Sequence, residues 1–431
     1  MKHKLTPLER SWILYDIGNS AFTMLLSTLF PIYFNALATG AGLNESDYLA
    51  YWGYAGSVAT LIVAFIGPVC GTMADYRGYK KPIFIVSLVV GVLCCALLGI
   101  PMNWILFLAI FVIAKVGYSS GLVFYDAMLP DVTTEENMDS VSTKGYAYGY
   151  IGSVIPFGLG LAIVLGYEAL GISQGTAMAL AFLLTAVWWV LCSIPLLRRY
   201  RQTAFIEPDE HPVSATFRQL GKTFREARHE KHIFIYLIAF FFFIDGVYTI
   251  IDMATAYGAA LGLDSNGLLL ALLVTQLVAF PCAILFGRLS YRFDTGILIK
   301  VCIIAYVGIT VFAIFLVAQW QFWALAVFVG MFQGGIQALS RSYLGKIIPP
   351  EHSGEYYGLM DICGKGASFL GLMMVSIVSQ MTSGMTFRIF GIQLQNENIA
   401  VGSLLVNFIL GYILFSKANK LNHQRIQESL L

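Results

Sequence analysis

Apolar stretches follow one another along the chain with only short polar interruptions, and a helix needs about 20 such residues to cross the hydrocarbon layer. Six run near residues 11–37, 50–73, 82–100, 103–125, 144–168 and 176–197. A polar segment, 198–232, separates them from six more near 233–257, 267–289, 297–318, 321–344, 357–381 and 399–416. In lipid every backbone polar group must be satisfied within the segment, so the pattern predicts an all-α membrane protein of twelve transmembrane helices. It divides the chain into an N-terminal six-helix bundle (1–197), a cytoplasmic central loop (198–232), a C-terminal six-helix bundle (233–416) and a cytoplasmic tail (417–431).

The two groups of spans echo each other. Asp16–Gly18 early in the first span has a counterpart in Asp245–Gly246 of the seventh, and the turn at 71–81 has one at 287–296. Tyr148–Gly149 in span 5 matches Tyr357–Gly358 in span 11. Matching features in one order and one membrane sense predict a parallel repeat of two six-helix bundles, with a pathway between them.

Charge orients the array. With a cytoplasmic start, every Lys and Arg falls in a cytoplasmic segment except Arg388 in an outer loop and Lys115 and Lys365 inside spans. Cytoplasmic loops retain positive charge, so both termini are placed inside. The basic start runs into a span too long for a signal-peptide core, and is read as retained. Within the central loop, 213–231 sets Phe217, Leu220 and Phe224 at helical spacing against Arg218, Lys222, Arg225 and Arg228, which suggests an interfacial helix on lipid or else a charged linker. Asn44–Ser46 is a glycosylation tripeptide, a pattern short enough to arise by chance.

Composition agrees with residence in lipid: 58% of residues are hydrophobic and 12% charged. Globular domains carry about 25% charge, and a net charge of +1 offers no basic face to nucleic acid. The seven cysteines lie in apolar stretches without metal-ligand spacing, and read as small core residues. His3, His211, His229, His232, His352 and His423 all fall in polar segments. No metal, cofactor or intramembrane histidine relay is therefore assigned. Residues 229–232 lack the HExxH spacing of a zinc protease.

Charge inside hydrocarbon costs about 2.5 to 3.5 kcal/mol per group, which makes each intramembrane ionisable residue a functional candidate. Asp16 lies early in span 1, Lys115 near the middle of span 4, and Asp245 in the middle of span 7 with Asp252 two turns on. Asp245 follows Phe240–Phe243, surroundings that favour the neutral acid unless a cation pairs with it. Asp245, or Asp16 in the other half, is expected to bind a proton or to pair alternately with Lys115; a fixed ion pair between helices is the plainer alternative. Asp361 and Lys365, four apart with the acid first, are read as a structural pair. Gln333 and Gln337 share a helix face and can bond a polar solute or glue helices together.

The turn Gly71–Lys81 (GTMADYRGYKK) joins spans 2 and 3. Gly71 permits close helix approach, Asp75 can face a helix N-terminus, and Arg77 can pair with Asp126. This segment resembles the signature loop of the major facilitator superfamily, with Gly71, Asp75, Gly78 and Lys80 at matching places and Tyr76 where that superfamily often has Arg. The resemblance implies a latch on the cytoplasmic gate and a cavity lined by helices 1, 4, 7 and 10, which makes Asp16, Asn19, Lys115, Asp245, Asp252, Gln333 and Gln337 candidates for substrate or ion binding. Leu14–Phe22 (LYDIGNSAF), Gly145–Gly152 (GYAYGYIG), Gly334–Ser342 (GGIQALSRS) with Ile348–Pro349, and Tyr357–Lys365 (YGLMDICGK) look like the vacuole-effluxer branch, the autophagy-related amino-acid exporters and their bacterial relatives.

The expectation is a secondary active transporter moving a small polar solute, such as an amino acid, by alternating access, coupled to H⁺ and embedded as a monomer among membrane lipids, with a bacterial plasma membrane as its setting. Sodium coupling or uniport are the alternatives among transporters. A membrane-embedded enzyme or a receptor on a transporter frame are the alternatives outside them. No Walker loop offers direct ATP drive.

Overall fold

The computed structural model describes residues 4–43, 45–207, 230–382, 385, 387–389 and 392–430. In chain order the helices are α1 (Pro7–Ser27), α2 (Leu29–Gly40), α3 (Glu45–Asp75), α4 (Lys80–Leu97), α5 (Trp104–Ala127), α6 (Leu129–Val132), α7 (Glu135–Leu165), α8 (Gln174–Arg199), α9 (Lys231–Ala260), α10 (Ser265–Leu289), α11 (Thr295–Ile314), α12 (Gln319–Ile347), α13 (Ser353–Met381), α14 (Asn396–Gly402) and α15 (Leu405–Leu430). A 3₁₀ turn, Pro350–His352, leads into α13, and a short hairpin pairs β1 (Phe387–Ile389) with β2 (Ile392–Leu394).

Local chemistry sets where these helices begin. Thr6 and Glu9 form a reciprocal capping box around Pro7 at the start of α1: Glu9 N–H donates to Thr6 Oγ1 at 3.2 Å, and Thr6 N–H donates to Glu9 Oε2 at 2.7 Å. Asn103, Ser173, Asp264 and Asp294 cap α5, α8, α10 and α11 by accepting from backbone N–H groups that have no partner within the helix. The first predicted span is interrupted at Thr28, whose φ of −131° and ψ of −80° leave the helical region and divide α1 from α2.

Among the described residues eleven helices are long and apolar enough to cross a membrane, α1 and α2 counting as one. At the eleventh predicted span α13 carries a shorter apolar stretch, Leu370–Met381. Helices also extend past the predicted spans. The α7 helix begins at Glu135, and α15 runs on through the predicted tail to Leu430, where Lys, Leu, Gln, Arg and Glu keep good helix propensity. The predicted interfacial helix falls almost entirely outside the described residues, and so does Asn44 of the glycosylation tripeptide.

Two compact units emerge, one of Met1–Asn137, Tyr148–Phe217 and Pro349–Gly358, the other of Met138–Ala147, Arg218–Ile348 and Leu359–Leu431. In the first, α1 packs on α8, α3 and α4 on α5, and α4 on α8. In the second, α9 packs on α15, α10 and α11 on α12, and α11 on α15. All four pairings recur, as a twofold-repeated bundle requires. Aromatic rings fill both cores. Trp12 stacks on Tyr125 at 4.3 Å and donates its Nε1–H to the Tyr125 carbonyl at 3.0 Å, while Tyr236, Tyr343 and Phe415 cluster in the second unit.

Candidate functional site

Asp245 lies in the middle of α9 and is wholly buried. Its Oδ1 accepts the backbone N–H of Gly371 on α13 at 2.8 Å, and its Oδ2 accepts from the side-chain amide of Asn407 on α15. Glycine at 371 makes this approach feasible, since a Cβ there would sit 2.8 Å from both carboxylate oxygens. Among the described residues the partners of Asp245 are neutral donors from its own unit. The expectation that this carboxyl faces open water-filled space is therefore corrected: the phenylalanine-rich α9 encloses it, and helix amides stand in for water.

One turn along α9, Thr249 is buried with its hydroxyl lacking a hydrogen-bond partner. It helps to line a cavity of about 70 Å³ together with Gln276 and Gln333. Most of its wall is apolar, with Ile250, Met253, Leu272, Phe322 and Leu404 among the lining residues. Gln333 and Thr249 are thus polar points on a largely apolar wall, whereas Gln337 is only half-buried and Asp252 is exposed.

In the first unit Asp16 and Asn19 are buried on α1, and Asn19 Nδ2 has no hydrogen-bond partner among the described residues. Lys115 Nζ on α5 donates to the Gly56 carbonyl of α3 at 3.3 Å. Alternate pairing of Lys115 with an acid has no counterpart in the contacts of Asp245, which finds its partners inside the second unit. Asp361 is half-buried, and the Lys365 side chain of the predicted pair lies outside the described residues.

The signature turn builds a second site. Gly71 and Gly354 bring the backbones of α3 and α13 together, because a Cβ on either would collide with the other's carbonyl. Asp75 then accepts the N–H groups of Gly354 at 2.7 Å and Glu355 at 2.9 Å, so the acid caps the first turn of α13 as the sequence leads one to expect. Gly78 turns the chain with a φ of +81°, and its N–H donates to Gln202 at 3.0 Å. Lys80, a loop residue in the sequence, is completely buried: its Nζ reaches Ser353 Oγ at 2.8 Å, Asp131 at 3.3 Å and Asp75 at 3.9 Å.

Arg77 differs from expectation. It pairs at the surface with Glu207 at 3.1 Å and lies over Phe205, instead of pairing with Asp126. Residues 200–206, read from sequence as the start of a linker, dock on the turn, where Ile206 N–H donates to the Asp75 carbonyl at 2.8 Å and Arg77 N–H to the Ile206 carbonyl at 3.0 Å. That strap also completes the shell of Asp131, whose carboxylate accepts from Tyr200 Oη, Thr203 N–H and Oγ1, and Ala204 N–H. Burial opposes its charge, yet Lys80 and these donors hold Asp131 below the ordinary carboxylate range. Burial, reinforced by Asp131, pushes the Tyr200 phenol well above its usual range. The facing Glu355 carboxylate draws the His352 imidazole above its usual range, against burial.

The second unit carries the corresponding arrangement at the start of α7. Asp139 accepts from Lys346 at 2.7 Å, Thr295 at 2.6 Å and Ser342 at 2.6 Å, while Arg341 binds Ser142 and lies 4.5 Å over the Tyr146 ring. Sequence reasoning missed Asp131, Asp139 and Asn407. The first two were visible as acids just outside predicted spans, and Asn407 as the amide inside span 12.

Comparison with known proteins agrees with this geometry. A family profile described as "Vacuole effluxer Atg22 like" matches residues 8–392. A Bacillus subtilis (strain 168) protein described as an uncharacterized MFS-type transporter, YxiO, is 39% identical over 421 residues, or 96% of each chain. Autophagy-related protein 22-1 of Penicillium rubens is 26% identical over 269 residues, covering 56% of this chain and 44% of its own. Among solved structures, the MFS transporter FucP in its outward conformation has a TM-score of 0.68 at 15% identity, over 96% of this chain and 97% of its own. A bacterial homologue of ferroportin in the outward-facing state reaches 0.70 at 13% identity, over 96% and 98%. Both share the major facilitator fold with this chain.

Proposed function

The chain belongs to the Atg22-like vacuole effluxer family, and on that premise we propose that it moves a small polar solute of amino-acid type by alternating access, with Asp245 carrying the coupling proton. It is an integral, multi-pass transporter of the major facilitator type, and its family and fold are those of transporters and not of enzymes. The observation that carries the proton reading is Asp245 itself: a wholly buried carboxyl in mid-helix, contacted among the described residues by an N–H and an amide and by no cation. An isolated carboxylate at that depth is costly, and a proton removes the cost.

Thr249, one turn from Asp245, offers a polar group beside the acid, on the edge of a largely apolar cavity that also holds Gln276 and Gln333. Substrate recognition is assigned, within the first unit, to Asn19 and to the charged types supplied by Asp16 and Lys115, which suit the ammonium and the carboxylate of an amino acid. Asp75, Lys80 and Asp131 act as a latch that orders the start of α13. The charge pattern of the loops supports cytoplasmic termini and a latch on the cytoplasmic side, and the Bacillus relative supports a bacterial plasma membrane.

Purified protein in liposomes, offered labelled amino acids with and without an inward-acid pH gradient, tests the reading. Uptake that is saturable and driven by the gradient supports it. Saturable uptake indifferent to pH and to Asp245→Asn removes the proton from Asp245, and binding without any uptake removes transport of that solute class.

A further inference from the structure

Two of the three carboxylate clusters at the helix ends are electrically complete. Asp139 has Lys346 in contact and two hydroxyl donors, and Asp131 has Lys80, two hydroxyls and two backbone N–H groups. The third is not. Asp75 and Glu355 are both wholly buried, and Lys80, the lysine in reach of Asp75 among the described residues, is closer to Asp131 at 3.3 Å than to Asp75 at 3.9 Å. Among the described residues neither oxygen of Glu355 has a close hydrogen-bond partner, and its Oε2 meets His352 Nδ1 only as an ion pair at 3.5 Å. Buried polar atoms are almost always satisfied, so a wholly buried carboxylate held only by a long 3.5 Å contact to His352 calls for an occupant.

We propose that Asp75, His352 and Glu355 form a binding site for a divalent first-row metal ion such as Zn²⁺ or Mn²⁺. One ligand atom from each residue lies within 4.8 Å of the other two. Metal–ligand bonds of about 2.0–2.2 Å put ligand atoms about 3.0–3.5 Å apart, so the side chains need to close by little more than an ångström. The donor set of one imidazole nitrogen and two carboxylates suits a borderline transition ion. The N–H groups of Gly354 and Glu355 already hold the Asp75 carboxylate in orientation, as outer-shell donors do in metal sites. Asp75, Asp131 and Glu355 outnumber Lys80 and His352, and a 2+ charge answers that excess of acid. The His352 side chain is 26% exposed, which gives an ion a way in from solvent.

The ligands come from the end of α3, the 3₁₀ turn and the start of α13, so the ion ties the same segments as the Asp75 cap. Metal occupancy then regulates how firmly that latch holds, whatever the solute and coupling ion are.

The test uses full-length protein in detergent at pH 7.5, stripped with EDTA and titrated separately with Zn²⁺, Mn²⁺ and Mg²⁺ while thermal unfolding is followed. Binding to the folded state raises apparent stability with occupancy. The expected result is a saturable rise of several degrees with Zn²⁺ or Mn²⁺ but not Mg²⁺, one tightly held ion per chain by elemental analysis, and more than about tenfold weaker binding in His352→Ala, since even outer-shell losses weaken metal sites by about 10–100-fold. No saturable rise overturns the proposal, and so does a rise that survives His352→Ala, which would place the ion on other histidines. If acidification in EDTA alone gives the whole stabilisation, the occupant is a proton and the metal site is wrong. His352→Cys exchanges the imidazole for a smaller, softer thiolate ligand, and it should turn preference toward Cd²⁺; an unaltered preference also overturns the site.

Discussion

Gly71 and Gly354 face one another so closely that the carbonyl oxygen of each stands where a Cβ on the other would have to be. The contact is what lets Asp75, one turn further along α3, reach the first N–H groups of α13. Small residues at a helix crossing here set the distance over which a charged cap acts.

Alanine at either glycine should therefore do more than fill space. Gly71→Ala or Gly354→Ala forces the two backbones apart, and overpacking of this kind costs about 1–3 kcal/mol. Gly308 of α11 is the control, because a Cβ there meets nothing within 4 Å. Gly308→Ala should be neutral or stabilising by about 0.5–1 kcal/mol through helix propensity. Thermal unfolding of the three purified variants in one detergent measures the contrast, and equal melting temperatures would show that the close approach does not matter.

Lys80 gives a second expectation, since its ammonium is the common partner of Asp131, Ser353 and Asp75 in a fully buried setting. Lys80→Met preserves most of the volume but strands buried acids, a change that costs about 3–5 kcal/mol. Adding Asp131→Asn removes one stranded charge while keeping a hydrogen-bonding group, so the double variant should recover part of the loss. Additive losses in the double-mutant cycle would mean that the pair does not interact.

The same carboxylate predicts a pH dependence. Asp131 sits below its ordinary range when folded, so the folded state binds its proton less readily than the unfolded chain. Its contribution to stability is present in full above the unfolded value of about 3.9, and is lost as pH falls through the lower folded value. Melting temperature followed downward from pH 6 should fall less steeply below about pH 4 in Asp131→Asn than in the native chain. Parallel curves would assign the acid sensitivity elsewhere.

Much of the fold was legible because lipid imposes a simple rule: runs of apolar residues of one length become spanning helices. The cap by Asp75 was legible as well, since an acid beside a glycine at a helix end has few other uses. What escaped were partners brought together by tertiary packing. Nothing in the sequence spacing joins Asp245 to Asn407 or Asp139 to Lys346, and Lys80 looks like a loop lysine until Asp131 and Ser353 close over it. The break at Thr28 was hidden by an apolar run that continues unbroken on both sides.

Asp245 and Asn407 yield the last expectation, one that separates a proton carrier from a structural acid. In Asp245→Asn the new side-chain carbonyl still accepts the Gly371 N–H, and the amide of Asn407 can turn to present its oxygen to the new NH₂ group. The fold should hold, with a change of about 1 kcal/mol, the scale of one neutral hydrogen bond. Gly371→Ala acts from the other side by placing a Cβ against Thr249 Oγ1 and 2.8 Å from both carboxylate oxygens, which displaces the threonine and the acid without altering any ionisable group. A proton carrier predicts that uptake into liposomes loses its dependence on a pH gradient in both variants, although only the second is markedly destabilised. A structural acid predicts the reverse order, with pH-dependent uptake persisting in Asp245→Asn and falling in Gly371→Ala only as far as folded protein is lost. Uptake normalised to folded protein, at two external pH values, distinguishes them.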